Sequence, residues 1–129
     1  WASSVTEPTG RYRLPTLNQI TVVGDQVAVG VEGRGVVLLN IDTGEERYTH
    51  NLRRLYAMTS DGTDGVFVHA ATTANAEVVA HLRCPDGIPV VMTRRCDAPR
   101  GRGIAVTPDG MQVIVGTARM DWPSGRQTG

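Results

Sequence analysis

"GRGIAVTPDGMQVIVGT", residues 101–117, sets two short β-prone runs, Ile104–Thr107 and Gln112–Val115, on either side of a Pro-Asp-Gly turn. Asp-Gly suits such a turn because Gly accepts a positive φ and Asp hydrogen-bonds its own local backbone. The plan occurs twice more, in "LNQITVVGDQVAVGV" (17–31) and "RLYAMTSDGTDGVFVHA" (54–70). Each is an alternating run, a Gly-Asp or Asp-Gly turn and a second run rich in Val. The turn centres fall near residues 25, 61 and 109, a spacing of roughly 35 to 50 residues that lies in the range of β-repeat architectures.

A second turn type falls between these. "VVLLNIDTGEERYTH" (36–50) is a strand, a Thr-Gly turn and another strand. "SSVTEPTGRYRLP" (3–15) has the same form, "VVAHLRCPDGIPVVMT" (78–93) carries Asp86-Gly87 in that place, and "ARMDWPSGRQTG" (118–129) begins it again at Ser124-Gly125. The chain therefore reads as one β-repeat domain over residues 1–129. An outer hairpin (2–14, with strands Ala2–Val5 and Tyr12–Leu14) precedes two four-strand units. The first spans 20–50, with strands Ile20–Val23, Val27–Val31, Val36–Asn40 and Arg47–His50. The second spans 56–94, with Tyr56–Thr59, Val66–Ala70, Val78–Leu82 and Val90–Arg94. An inner hairpin over 104–117 leads into an unfinished outer pair. No helical periodicity of useful length competes, the short Asn75–Leu82 being its best candidate.

Composition agrees. Seventeen Val and fifteen Gly against a single Phe favour short strands and tight turns, with a core built from many aliphatic contacts. At 129 residues the chain is one domain rather than two. Thirteen Arg balance thirteen acidic residues and there is no Lys, so no global basic field points to nucleic acid or an acidic membrane surface. The longest apolar run, Gly35–Leu39, is strand length, so no membrane span is expected. A first residue of Trp1 leaves a processed chain and a piece of a longer one both open, and an extracytoplasmic or secreted setting is slightly favoured.

These units resemble the blades of the YVTN/WD40/PQQ-like β-propeller repeat group. "GIAVTPDGMQVIVGT" looks like the inner half of a YVTN-type blade, and "LLNIDTGEERY" like the outer hairpin of a PQQ-type blade. Tyr48 stands where that group usually carries Trp, and Leu14 and Val91 stand at the equivalent places, so its Trp belt is absent. The resemblance implies about three four-stranded antiparallel blades, half a propeller or part of a larger ring. The alternative architecture is a small β-sandwich or barrel. It further implies a non-enzymatic binding or scaffolding module that presents its loops to a protein or small anionic partner. Partners then include a second copy of the chain or the remainder of a ring, since blades bury both faces only against similar sheets. The alternative function is part of an extracytoplasmic propeller enzyme, a lactonase-like hydrolase or a quinone-type oxidoreductase, for which His69 and Asp61 would have to meet at a channel mouth.

Candidate residues are few. "RRCDAPRGRG" (94–103) concentrates Arg94, Arg95, Arg100 and Arg102, which with Trp122 make the expected binding patch, since Arg suits carboxylate and phosphate partners. Cys84 and Cys96 could form a disulfide closing a short loop. The 78–94 hairpin argues otherwise, placing them on the order of 20 Å apart at ~3.3 Å per residue, where a bridge needs Cα atoms within about 7 Å. His50, His69 and His81 lack short ligand spacing and read as structural. "SDGTDG" (60–65) reads as a plain turn with too few ligands for calcium. No nucleophile motif, metal ligand set or cofactor is expected.

Overall fold

The computed structural model describes residues 17–31, 33–98 and 103–128. The expected 2–14 hairpin, Arg100 and Arg102 lie outside them. Among the described residues, eleven strands form three antiparallel sheets. The first joins β1 (Leu17–Val23), β2 (Gln26–Val31), β3 (Gly35–Asn40) and β4 (Glu46–Asn51) in chain order. The second joins β5 (Arg54–Ser60), β6 (Gly65–Ala71), β7 (Glu77–Arg83) and β8 (Val90–Arg95) in the same way. The third holds β9 (Ile104–Val106), β10 (Gln112–Val115) and β11 (Ala118–Asp121), with Gln127 bridging back to Met120. None of the described sheets closes on itself, which removes the barrel alternative, and three layers exceed a two-sheet sandwich. One short 3₁₀ turn, Pro85–Gly87, is the helical content of the described residues, and no helix there is long and apolar enough to cross a membrane.

Residues 103–117 fold as a hairpin, with Val106 opposite Val113 and Ile104 opposite Val115. Thr107 leaves the strand because its side chain serves the turn: the Thr107 hydroxyl donates to Asp109 Oδ1 at 2.6 Å, and the Met111 N–H donates to the same oxygen at 3.0 Å. The Thr-Gly turn at 43–44 and the Ser-Gly turn at 124–125 share one hydrogen-bond pattern. Gly44 N donates to Asn40 O and Gly125 N to Asp121 O, both at 2.8 Å. Glu45 N donates to Thr43 Oγ1 at 3.2 Å and Arg126 N to Ser124 Oγ at 3.3 Å.

The sheets stack through two seams. In the first, Ala28, Val36 and Leu38 of the first sheet meet Val66, Val68, Ala70, Ala80 and Leu82 of the second, with Leu52 and Cys84 filling the ends. In the second, Phe67 and Val79 meet Val113, Val115 and Met120, with Cys96 among them. All seven residues of β6 are buried because both faces are covered. Burying one Val or Leu side chain contributes roughly 1.5–3 kcal/mol, so many small aliphatics replace the missing aromatics. The sheets approach one another at their first strands, β5 lying beside both β1 and β9.

Cys84 and Cys96 are both buried and unbonded, and each belongs to a different seam. The disulfide expectation therefore gives way to two separate thiols. The reason is the hairpin itself: Arg83 pairs with Val90 and Val78 with Arg95, which sends the two residues to opposite ends of the pair.

Gly35 is the tightest joint of the first sheet. It sits at φ +109°, and a Cβ there would collide with the His50 carbonyl and lie 2.6 Å from Leu52 N. Gly33 has φ +84° but open space around it. Gly33→Ala should cost about 1–2 kcal/mol, the penalty for a left-handed backbone, and Gly35→Ala distinctly more, because β4 must also move. Urea unfolding of the two variants checks this, and equal midpoints would refute the claim of close approach.

Candidate functional site

Two places gather polar groups. The first is a cleft of about 370 Å³ between the first and second sheets, lined by Val31, Gly33, Gly35, Leu52, Arg53, Arg54, Leu55 and Tyr56. The β2–β3 turn forms one wall and the β4–β5 link the other. Arg53 Nη1 donates to Asn75 Oδ1 at 3.0 Å, which ties its guanidinium to the β6–β7 turn. Among the described residues neither Arg53 nor Arg54 is in an ion pair.

The second lies on the face of the second sheet that meets the third. Ala71 pairs with Glu77, and His69 with Val79, so Glu77 is the diagonal neighbour of His69. Beyond the end of β8, Cys96 N donates to Glu77 O at 3.1 Å, which brings Cys96 alongside Glu77. One ring nitrogen of His69, a Glu77 oxygen and Cys96 Sγ thereby fall within 4.8 Å of one another. His69 is fully buried, and Glu77 Oε2 stands 3.4 Å from its Nε2, too poorly aligned for a hydrogen bond. Neither ring nitrogen has a hydrogen-bond partner among the described residues. The Tyr56 ring packs against the imidazole at 5.0 Å between centroids. Glu77 Oε2 accepts the Ala98 N–H at 3.2 Å. Burial, with the negative charges of Glu77 and Asp97, pushes the Cys96 thiol up to about 11. The group opens to a shallow pocket of about 340 Å³ lined by Glu77, Arg95, Cys96, Asp97 and Gln127.

Lower in the same seam, His81 Nε2 donates to Asp61 Oδ2 at 2.7 Å. The His81 ring stacks on Phe67 at 4.2 Å, and Trp122 meets Phe67 edge-on at 5.1 Å. Asp61 Oδ1 also accepts from Thr63 N, Thr63 Oγ1 and Gly65 N. Burial works against the charged carboxylate, but the hydrogen bonds from His81, Thr63 and Gly65 outweigh it and hold Asp61 below its ordinary value.

The expected sites fall as follows. Arg94 lies across the Ser-Gly turn: its Nε donates to Pro123 O at 2.8 Å, and a Cβ on Gly125 would stand 2.7 Å from its side chain. Trp122 packs into the second seam. Arg95 is exposed at the rim of the shallow pocket. His69 and Asp61 do not share an opening, since His69 faces Glu77 and Cys96 while Asp61 is bound to His81. The convergence of His69, Glu77 and Cys96 escaped the sequence reading, which looked for ligands at short spacing. The signal was in the hairpin register: once Val78 is set opposite Arg95, Glu77 must stand opposite Cys96.

The chain matches no protein-family model, and no curated protein is significantly similar to it.

Asp61 gives a test with a definite sign. A carboxyl held below its unfolded value, about 3.9 for Asp, adds stability that is whole above that pH and is lost as pH falls through the folded value. Asp61→Asn should lower stability near neutral pH by roughly 1.5–3 kcal/mol, the worth of a hydrogen bond to a charged group, since the amide keeps an acceptor oxygen but loses the charge. It should also make the acid limb of the stability curve shallower. Chemical denaturation across pH 2–7 reads both effects, and an unchanged acid limb would show that the His81–Asp61 contact carries no charge-dependent stability.

Proposed function

We propose that the three sheets are consecutive blades of a propeller-type array, and that the chain is a non-enzymatic binding module whose seat for a small anionic partner is the cleft between the first two. The arrangement of first strands side by side supports the blade reading, as does the shared geometry of the turns at 43–44 and 124–125. Ile20 and Val22 are exposed on the outward face of the first sheet, where a further blade or a second copy would seat.

One observation carries the functional part: Arg53 and Arg54 flank a cleft of small-molecule size, opposite a turn whose Gly33, with open space on its Cβ side, lets a ligand approach the backbone. A guanidinium fork matches carboxylate and phosphate oxygens in pairs. Of the arginines expected to bind, Arg94 packs on the Ser-Gly turn, Arg95 is exposed, and Arg100 and Arg102 lie outside the described residues.

Calorimetric titration with inorganic phosphate and small dicarboxylates at low and high salt tests the reading. Binding should weaken as salt rises, and the double variant Arg53→Gln/Arg54→Gln should lose about tenfold or more in affinity, at least 1.4 kcal/mol. Absence of binding heat from every anion, or equal affinity in the double variant, would remove the cleft as the seat.

A further inference from the structure

The second seam carries a different chemistry, independent of the cleft. We propose that His69, Glu77 and Cys96 form a binding site for a divalent metal ion of the zinc class, with a fourth position open to the pocket lined by Arg95, Asp97 and Gln127.

The donor set is the first argument. An imidazole nitrogen, a carboxylate oxygen and a thiolate are the three ligand types zinc takes, and three protein ligands with one open position is a common arrangement for it. The charge also closes. A carboxylate and a thiolate cancel a dication, so the loaded site is neutral, as a half-buried seam requires. On binding, the Cys96 S–H gives its proton to solvent and the sulfur bonds the metal, with no change of oxidation state.

The geometry is the second argument. Tetrahedral zinc with ordinary bond lengths holds its ligand atoms about 3.3–3.6 Å apart. His69 Nε2 and Glu77 Oε2 already stand at 3.4 Å. The largest separation in the set is within 4.8 Å, so closing on an ion takes side-chain movements of about 1 Å or slightly more. The backbone that positions the set is two registered strand pairs.

The third argument is the state of His69. It is fully exposed to neither solvent nor a hydrogen-bond partner: both ring nitrogens are buried and unmatched among the described residues. Buried polar atoms are nearly always satisfied, and an orphan of this kind points to a missing ligand. A histidine kept only for packing would have its ring N–H bonded to a carbonyl or carboxylate. Packing alone does not call for a thiol at Cys96. Leu52 stands one residue past β4 as Cys96 stands one residue past β8, and it fills the first seam as a plain hydrocarbon.

Cobalt(II), a spectroscopic stand-in for zinc, provides the test on the whole chain under a non-chelating reductant. Saturation at one cobalt per chain is expected, with a thiolate-to-cobalt charge-transfer band and visible bands of a four-coordinate ion, all displaced by zinc. The charge-transfer band should survive Cys84→Ser and vanish in Cys96→Ser, and His69→Gln should weaken cobalt binding at least tenfold. Circular dichroism verifies folding of each variant. If Cys96→Ser fails to fold, Glu77→Gln takes its place, and an affinity at least tenfold lower is then expected. No saturable band, a band that follows Cys84 rather than Cys96, or an unchanged affinity in Glu77→Gln would overturn the proposal.

Discussion

The fold depends on burying the second sheet from both sides. A β-sheet without helices to cover it must find another sheet for each apolar face. Val66, Val68 and Ala70 point one way along β6, and Phe67 and His69 point the other. Once the first sheet takes one face and the third takes the other, the order of the layers follows. The position of the two polar places follows as well, because each lies at a seam between sheets and not on a free surface.

Much of this was legible in the sequence. The strand spans in the two four-stranded units agree with the expected ones to within three residues at each end, because Val-rich runs and positive-φ turns leave little freedom. Differences have local causes. Thr107 is drawn out of β9 by its bond to Asp109, and the expected Val78–Leu82 strand extends to Glu77 and Arg83 because β6 offers each a partner. The short strand β11, Ala118–Asp121, falls where 118–129 was expected to begin an outer pair.

The polar group at His69, Glu77 and Cys96 was much harder to see. Ligands on one helix announce themselves by three- or four-residue spacing, whereas ligands on neighbouring strands meet by register. Eight and nineteen residues separate the three in sequence, yet one diagonal and one direct cross-strand step join them. The arginines at 94 and 95 are parted by the same register. Alternate residues of β8 face opposite sides, so one lies on the neighbouring turn and the other reaches solvent.

The two seams are unequal, and the chain is graded in cohesion along its length as a result. The first joins two complete four-stranded sheets through aliphatic side chains and buries Val36, Val66, Val68 and Leu82 completely. The second is closed by a smaller sheet whose first strand has three residues, and it mixes Phe67, Trp122, Met120 and two histidines. Native proteins open along their least cohesive contacts, in units that match supersecondary elements. By that rule the third sheet, the smallest of the described sheets, is the unit expected to open first. Such an opening would expose His69 and Cys96 to solvent without unfolding the strands that hold them.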